Sequence, residues 1–207
     1  MSDPTTANID AAINAYDPLA SHLAPIYESF SFEKRHRDHM DLLPNPGAWI
    51  LDVGSGTGTN AAALAARGYK VVAAEPSAGM RREAAARHDA AVVTWLDDRV
   101  PELTHVRALG QKFDFLLLQA VFMHLPEPAR APALATLAGL ALPHAVMALS
   151  LRHGPIPPGR IMYEIPAADV IGLGDHAGFD LIRQSTGASA ANQPDVTFSR
   201  LCFRRRP

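Results

Sequence analysis

Short apolar runs alternate with helical patterns through the middle of the chain. The runs resemble parallel strands that are buried on both faces, and they cover residues 48–53, 70–75, 91–95, 113–119 and 144–151. Apolar positions at helical spacing occur at residues 59–67, 77–88, 101–109 and 127–141. Alternating strands and helices with right-handed crossovers predict a doubly wound α/β sheet with mostly parallel strands.

The pattern in the N-terminal part of the chain predicts helices and no strands. Apolar residues recur there at helical spacing, and Asp17-Pro18 interrupts the pattern. We therefore expect two helices within residues 8–43, the second running from about Ile26 to Leu43.

The C-terminal part adds one helix and two strands. The helix is expected from Pro166 to about Ala177, and Gly178 should end it. The strands are expected at residues 179–185 and 196–204, which brings the sheet to seven strands. Apolar positions in the last strand change from even to odd numbers, which indicates a bulge or a change of facing.

Length and composition favour one globular domain. At 207 residues, the chain can bury a sheet covered on both faces. We divide this domain into a helical lid at residues 1–46, a core at 47–153 and a C-terminal part at 154–207. A net charge of -2 creates no field that attracts a polyanion, so a nucleic-acid partner is not expected.

The remaining composition bears on the cellular compartment. The N-terminus lacks a secretory signal, and no apolar run approaches membrane-spanning length. Cys202 is the one cysteine, so no internal disulfide can form, which suits a reducing compartment. We expect a cytoplasmic protein without a membrane partner. Nothing here indicates the oligomeric state.

A glycine-rich turn follows the first strand. Gly54, Gly56 and Gly58 occupy every second position, and the next apolar run ends in Glu75. Glycines let the chain turn sharply and let a ligand approach the bare backbone. A carboxylate about 20 residues further on is placed to accept hydrogen bonds from both ribose hydroxyls. The pattern predicts an adenosine-containing cofactor.

The spacing of the glycines identifies the cofactor. Dinucleotide sites use G-x-G-x-x-G, whereas Thr59 stands here where the third glycine would be, and no P-loop lysine follows. Asp52, just before the turn, would repel a phosphate and suits a cationic group. S-adenosylmethionine carries a sulfonium and an ammonium and no phosphate. We therefore predict that it binds here and that S-adenosylhomocysteine is the product.

Four segments in order resemble the class I SAM-dependent methyltransferases: Asp52–Gly58, Glu75–Met80, Trp95–Asp98 and Phe113–Pro126. The resemblance implies the Rossmann-like methyltransferase fold with an antiparallel last strand. It also implies an apolar residue beside adenine and an acid near its amino group. The cofactor-binding residues implied are Asp52, Gly54, Ser55, Gly56, Gly58, Glu75, Pro76, Met80, Leu96, Asp97 and Gln119.

The acceptor end is less specific in sequence. Methyl transfer from a sulfonium is an in-line displacement, and a general base is needed only when the acceptor must lose a proton. His124 follows the fourth strand and is the candidate base, although it could instead brace the helix that begins near Pro126. The candidate acceptor-binding residues are Tyr16, Tyr27, His124, Arg152 and His153. The tyrosines could equally pack the lid, and the Arg152-His153 pair could be an exposed strand end.

Absent motifs limit the class of acceptor. Gln119-Ala120-Val121-Phe122 replaces the Asp/Asn-Pro-Pro-aromatic motif of adenine amino methyltransferases, and no Pro-Cys nucleophile occurs. We expect no metal site, because histidines on solvated helix faces are far commoner than ligands. The hypothesis is a methyltransferase for a small molecule. The alternatives are an enzyme acting on tRNA or a protein side chain, and a non-catalytic SAM-binding partner protein.

Overall fold

The computed structural model describes residues 3–89, 91–189 and 193–207 and contains a seven-stranded sheet. Its strands are β1 Trp49–Val53, β2 Lys70–Ala74, β3 Val93–Leu96, β4 Phe113–Leu118, β5 Ala141–His153, β6 Phe179–Ala188 and β7 Thr197–Arg205. The strand order is β3-β2-β1-β4-β5-β7-β6. β1 to β5 pair in parallel, and β7 is antiparallel to both neighbours. The predicted fold class, including the antiparallel last strand, is confirmed.

Helices follow the strands on both faces of the sheet. They are α1 Pro4–Asn14, α2 Ala20–Glu28, α3 Phe32–His36, α4 Thr59–Ala65, α5 Ala78–Arg87, α6 Thr104–Ala108, α7 Glu127–Leu140 and α8 Ala167–His176. Short 3-10 turns cover Asp17–Leu19, Met40–Leu42 and Phe122–His124. From α4 to α8, helices lie where the periodicity predicts them, with small differences at the ends.

Local signals account for several helix ends. The Ser77 hydroxyl accepts the backbone N–H of Met80 (3.2 Å) and caps α5. Gly178, with φ of +86°, follows α8 in the left-handed conformation that ends many helices.

The prediction of one helix from Ile26 to Leu43 is wrong. α2 ends at Glu28, and Ser31 has an extended backbone and caps the separate short helix α3. Phe32 and His36 on α3 are buried, and Phe32 packs in the core on one face of the sheet. The apolar residues of this segment therefore belong to several short helices. Their spacing in sequence is the same as on one continuous helix, so periodicity alone does not reveal the break.

The bulge or change of facing predicted for the last strand, β7, is found as a bulge in the neighbouring strand β6. Between Leu181 and Arg183 the register of β6 shifts by one residue against Phe203 and Cys202 of β7. β7 itself buries three residues in a row, Leu201 to Phe203, because it lies between two strands and both of its faces are covered. The bulge in β6 thus accompanies the change of apolar parity in β7.

The core forms two layers on opposite faces of the sheet. Alternate residues of β1 show this division, because Leu51 and Val53 pack in one layer and Ile50 in the other. Residues of α1 and α2 line a cavity together with residues at the carboxyl ends of β1, β2 and β4. In the part of the chain that the structure describes, no helix is long and apolar enough to cross a membrane.

Candidate functional site

A cavity of about 1220 Å³ opens at the carboxyl ends of the central strands. Residues that follow β1, β2 and β4 form one side, among them Gly56, Glu75 and Gln119, and the N-terminal helices cover it with Tyr16 and Tyr27. Ligands of open α/β sheets bind at this edge, where the strand order reverses. Strand order does reverse between β1 and β4, so the cavity occupies the expected position.

The glycines of the turn after β1 have different surroundings. A β-carbon on Gly54 would lie 2.5 Å from Val121 Cγ2, and one on Gly58 would lie 2.5 Å from the Trp95 ring. Gly56 lines the cavity, has φ of +59°, and would have no atom within 4 Å of an added β-carbon. The outer glycines therefore allow protein packing, and Gly56 leaves bare backbone facing open space.

Glu75 is tied to this turn by both carboxylate oxygens. Oε2 accepts the backbone N–H of Gly56 and Oε1 that of Ser77, each at 2.8 Å. Burial raises the pKa of Glu75 to about 7, although these two N–H groups favour its charged form. The side chain lines the cavity and retains acceptor capacity for a ligand.

Asp52 is buried at 1% exposure, next in the chain to cavity-lining residues. Neither carboxylate oxygen has a hydrogen-bond partner among the residues that the structure describes. Burial and then the charge of Glu75 raise the pKa of Asp52 to about 8, and the charge of Arg35 lowers it. A buried carboxyl without partners is uncommon and indicates a position where a cation would be favourable.

Arg35 is a cavity residue that the sequence analysis missed. Its Nη2 donates to the Tyr27 carbonyl (3.1 Å), and its guanidinium lies 4.8 Å from the centre of the Phe30 ring. Its position became apparent only with the break between α2 and α3, since the predicted continuous helix gave no reason to single it out.

Asp17 connects the lid to the cofactor side. Its Oδ1 accepts the Ser77 hydroxyl (2.6 Å) and the backbone N–H of Gly79 (2.8 Å). A β-carbon on Gly79 would come within 2.7 Å of the Asp17 carbonyl oxygen, so the backbones are in close contact. Met80 is buried against α2 residues. The sequence analysis took Asp17 only as a helix interruption.

Tyr16 and His124 meet inside the cavity. The His124 Nδ1 lies 2.7 Å from the Ile161 carbonyl, so it must carry the proton and donate it. Nε2 then accepts the Tyr16 hydroxyl, at 3.0 Å. Burial lowers the pKa of His124 and raises that of Tyr16, which keeps both groups neutral. Both ring nitrogens of the candidate base are thus bonded within the protein.

The remaining acceptor candidates are not all in the cavity. Tyr27 and Arg152 line it, together with Arg160, which the sequence analysis missed. The His153 ring instead lies 2.9 Å from Glu164 Oε1 and 2.9 Å from the Ser199 hydroxyl. His153 is outside the set of lining residues.

The residues expected near adenine are divided, and only some of them border a second, smaller depression of about 510 Å³. Asp97 lines it and accepts Arg81 Nη2 at 2.6 Å, and Pro76 lines both this depression and the large cavity. Leu96 packs against the core and lines neither. The neighbouring acid Asp98 is buried and accepts the backbone N–H of Val106 in α6 (2.8 Å).

Gln119 directly follows β4 and precedes a residue with a left-handed backbone conformation. The next residue, Ala120, has φ of 57°, and its N–H donates to the Ser150 hydroxyl at 3.0 Å. Gln119 and Ser55 both line the cavity.

The N-terminal histidines have packing roles. His36 Nε2 lies 2.9 Å from Asn60 Oδ1, and its ring packs at tilted angles against the rings of Phe32 and His39. Burial lowers the pKa of His36 to about 3 and that of His39 to about 4. Across the residues described, no group of three or more potential ligands could hold a metal ion.

Comparison with known proteins gives a match for the central part of the chain. Residues 50–144 match the family model described as a methyltransferase domain. A curated relative, the cypemycin N-terminal methyltransferase of Streptomyces sp, is 39% identical over 77 residues. That match covers 37% of this chain and 29% of the relative's length.

Solved structures share the whole fold at low identity. A Burkholderia thailandensis 1,6-didemethyltoxoflavin-N1-methyltransferase with bound 1,6-didemethyltoxoflavin and S-adenosylhomocysteine has a TM-score of 0.76 at 16% identity, covering 100% of this chain and 92% of that one. A Synechocystis PCC 6803 magnesium protoporphyrin IX methyltransferase with bound SAM has a TM-score of 0.71 at 18% identity, covering 99% and 100%. At these identities the likeness establishes the fold.

Proposed function

We propose that this chain, whose residues 50–144 form a domain of the methyltransferase family, is an enzyme that moves a methyl group from S-adenosylmethionine to a small-molecule acceptor by in-line displacement. The family uses this cofactor as methyl donor. The observation that carries the proposal is the cavity that joins the glycine turn and Glu75 to the lid.

At the cofactor end, the donor set fits a cationic adenosine derivative. Asp52 offers two unpartnered carboxylate oxygens near the turn, and Gly56 leaves the backbone accessible. In this proposal Asp52 faces the cationic amino-acid part, and Glu75 accepts the ribose hydroxyls. The other residues of the cofactor set are Gly54, Ser55, Gly58, Pro76, Met80, Leu96, Asp97 and Gln119.

At the acceptor end, enclosure supplies most of the catalysis. Bound S-adenosylmethionine supplies an already activated methyl carbon, so the protein has to align the acceptor and exclude water, effects worth about 7–11 kcal/mol. Tyr16, Tyr27 and Arg152 surround the acceptor under the lid. His153, held by Glu164 and Ser199, supports this rim from outside the cavity.

His124 has a bracing role in this proposal. Its two ring nitrogens connect Tyr16 of the lid to the carbonyl of Ile161. It could take a proton from an acceptor only after Tyr16 moved away, and methyl transfer does not require a base.

A small molecule is favoured because the cavity is covered by the lid, and because both structural relatives are named for small compounds. A peptide amine is the second candidate, because the curated relative is named as an N-terminal methyltransferase.

Two measurements on the purified protein test the function. Calorimetry should give micromolar dissociation constants for S-adenosylmethionine and S-adenosylhomocysteine, about -8 kcal/mol, with NAD much weaker. Release of S-adenosylhomocysteine should then be screened over metabolites, short peptides and tRNA.

The possible results distinguish the proposed function from its alternatives. NAD binding as tightly as S-adenosylmethionine would overturn the cofactor assignment. Turnover on tRNA or on peptides alone would replace the small-molecule acceptor. Cofactor binding without turnover on any of the three classes would identify a non-catalytic binding partner.

A further inference from the structure

Among the residues that the structure describes, two arginines near Tyr16, on the acceptor half of the cavity, form no ion pair with an acid. Arg152 extends from the end of β5, and Arg160 lies in the segment that follows. Both line the cavity. The ion pairs among the described residues involve other cations, namely Arg37, Arg67, Arg81, His88, Arg87, Arg99, His153, Arg183, Arg200 and Arg206.

The Arg160 guanidinium is hydrogen-bonded to the hydroxyls of Tyr16 and Tyr27. It lies 5.3 Å from the centre of the Tyr16 ring, and its Nε is buried without a hydrogen-bond partner among the described residues. An unpartnered buried donor on a charged group is unfavourable unless something pairs with it.

Arg152 adds a second positive charge beside the first. Among the described residues, its side chain makes a long hydrogen bond of 3.4 Å from Nη1 to the Gly154 carbonyl. Burial lowers its pKa, and so does the nearby charge of Arg160. Two like charges in one cavity wall repel each other, and an anion between them would remove that repulsion.

Acidic groups close in sequence are engaged elsewhere. Glu164, four residues after Arg160, is bonded to His153. Arg200 and Arg99 also line the cavity, but they pair with Asp38 and Asp10. Arg35 lines the cavity too, but its charge acts on Asp52. Arg152 and Arg160 are therefore the cavity arginines near Tyr16 whose charge is left for a ligand.

We infer that the acceptor carries an anionic oxygen group, a carboxylate or a phosphate, which Arg152 and Arg160 hold on the side of the cavity facing Tyr16. This inference rests on the proposed methyltransferase function. Guanidinium groups bind both anions through paired N–H donors. Ile13, Val121, Met123 and Met162 also line the cavity, which suits an apolar skeleton behind the anion.

The test uses small aromatic probes on the protein saturated with S-adenosylhomocysteine. Benzoate, phenyl phosphate and the neutral benzamide are titrated by calorimetry at low and at high salt. One of the two anions should bind at least about tenfold tighter than benzamide, because charge-assisted hydrogen bonds stabilise it. Salt should weaken the anion and leave benzamide unchanged.

Variants connect the preference to the two residues. Arg152→Gln and Arg160→Gln should each remove most of the anion preference, while Arg160→Lys, which keeps the charge, should retain part of it. The matched control is Arg130→Gln, because Arg130 donates to the Leu125 carbonyl, lies over the Tyr163 ring and is not a cavity residue. It should leave anion binding unchanged, and all variants should keep their affinity for S-adenosylhomocysteine.

The outcomes separate this inference from the function on which it rests. Tighter binding of benzoate assigns a carboxylate, and tighter binding of phenyl phosphate assigns a phosphate. Equal affinity of all three probes for the wild-type protein overturns the inference, as does an equal loss in Arg130→Gln. If S-adenosylhomocysteine itself fails to bind, the proposed function fails, and the same titrations on the free protein still decide the anion preference.

Discussion

At the scale of single residues, two carboxyl groups of the site lie in unusual surroundings. Glu75 is bonded to two backbone N–H groups of the cofactor turn, whereas Asp52 is buried with no partner among the described residues. The same side-chain type therefore has two roles. Glu75 organises the turn, and Asp52 is proposed to face the cationic part of the cofactor.

Replacing Glu75 tests the ribose contact. Glu75→Ala should weaken binding of S-adenosylhomocysteine by about 1.5–3 kcal/mol, because charge-assisted hydrogen bonds are lost. Since Glu75 also holds the N–H groups of Gly56 and Ser77, some loss of stability should accompany it. Calorimetry and melting together measure both effects. Glu83→Ala on α5 is the control, and equal cofactor affinity in a folded Glu75→Ala protein would place the ribose elsewhere.

The buried carboxyl of Asp52 predicts a pH dependence. Its pKa in the folded protein is about 8, above the ordinary 3.8, so the folded state holds a proton that the unfolded state releases. The stability gained is complete at low pH and is lost as pH rises through 8. The folded-state pKa of Glu75, raised to about 7, contributes in the same direction.

The buried histidines act in the opposite direction, but only below their ordinary pKa of 6.5. Between about pH 6.5 and 8 the carboxyl effect should therefore dominate, and the free energy of unfolding of the ligand-free protein should fall. Asp52→Asn should flatten this slope in urea unfolding. An identical slope in both proteins would mean that Asp52 is ionised without ligand.

His124 can be assigned by separating stability from turnover. If it braces the lid, His124→Ala should lower stability by about 1–3 kcal/mol through loss of its bonds to Tyr16 and to the Ile161 carbonyl, and activity should fall with it. His124→Gln should restore much of both. A stable His124→Ala protein whose turnover alone fell by about 10²-fold would instead identify a general base.

At the scale of elements, the first two helices of the lid are attached to the rest of the chain by side-chain contacts and not by strand pairing. Asp17 in the 3-10 turn between α1 and α2 accepts two hydrogen bonds from the start of α5. The Tyr16–His124 bond is a second attachment, near the end of β4. The lid should therefore be less stable than the sheet, since local stability follows local contacts.

Removing Asp17 tests this difference. In Asp17→Ala, backbone amides of α1 and α2 should exchange hydrogen faster, while those of β1 and β4 should not change. Loss of two bonds to a charged acceptor accounts for an effect of about 1.5–3 kcal/mol. Asp169→Ala, in the first turn of α8, is the control. Uniformly faster exchange would indicate global destabilisation instead.

At the scale of the whole molecule, charge is unevenly distributed. The net charge is only -2, yet the cavity wall includes several arginines and the single acid Glu75. The overall balance gave no sign of this local field, because it sums the charges of the whole chain. The charge of the cavity therefore bears on which ligand binds there, whereas the net charge bears on how the whole protein interacts with its surroundings.

Because the cavity joins the lid to the sheet, ligand binding should stabilise the whole protein. S-adenosylhomocysteine at 100 times its dissociation constant should raise the free energy of unfolding by about 2.7 kcal/mol. Equal concentrations of NAD should have no effect on the melting temperature. Stabilisation by NAD alone would contradict the proposed cofactor.

What the sequence determined by itself was the sheet and the cofactor turn. Strand and helix periodicity, the three glycines, Glu75 and the Ser77 cap all act over at most about 25 neighbouring residues, so local patterns were sufficient. Tertiary structure alone decided the lid and the acceptor wall. The Tyr16 hydroxyl bonds His124, which is 108 residues away in sequence. Arg160, in the segment after β5, comes close to Tyr16 only in the folded chain. The break between α2 and α3 likewise follows from packing on the sheet, which periodicity does not contain.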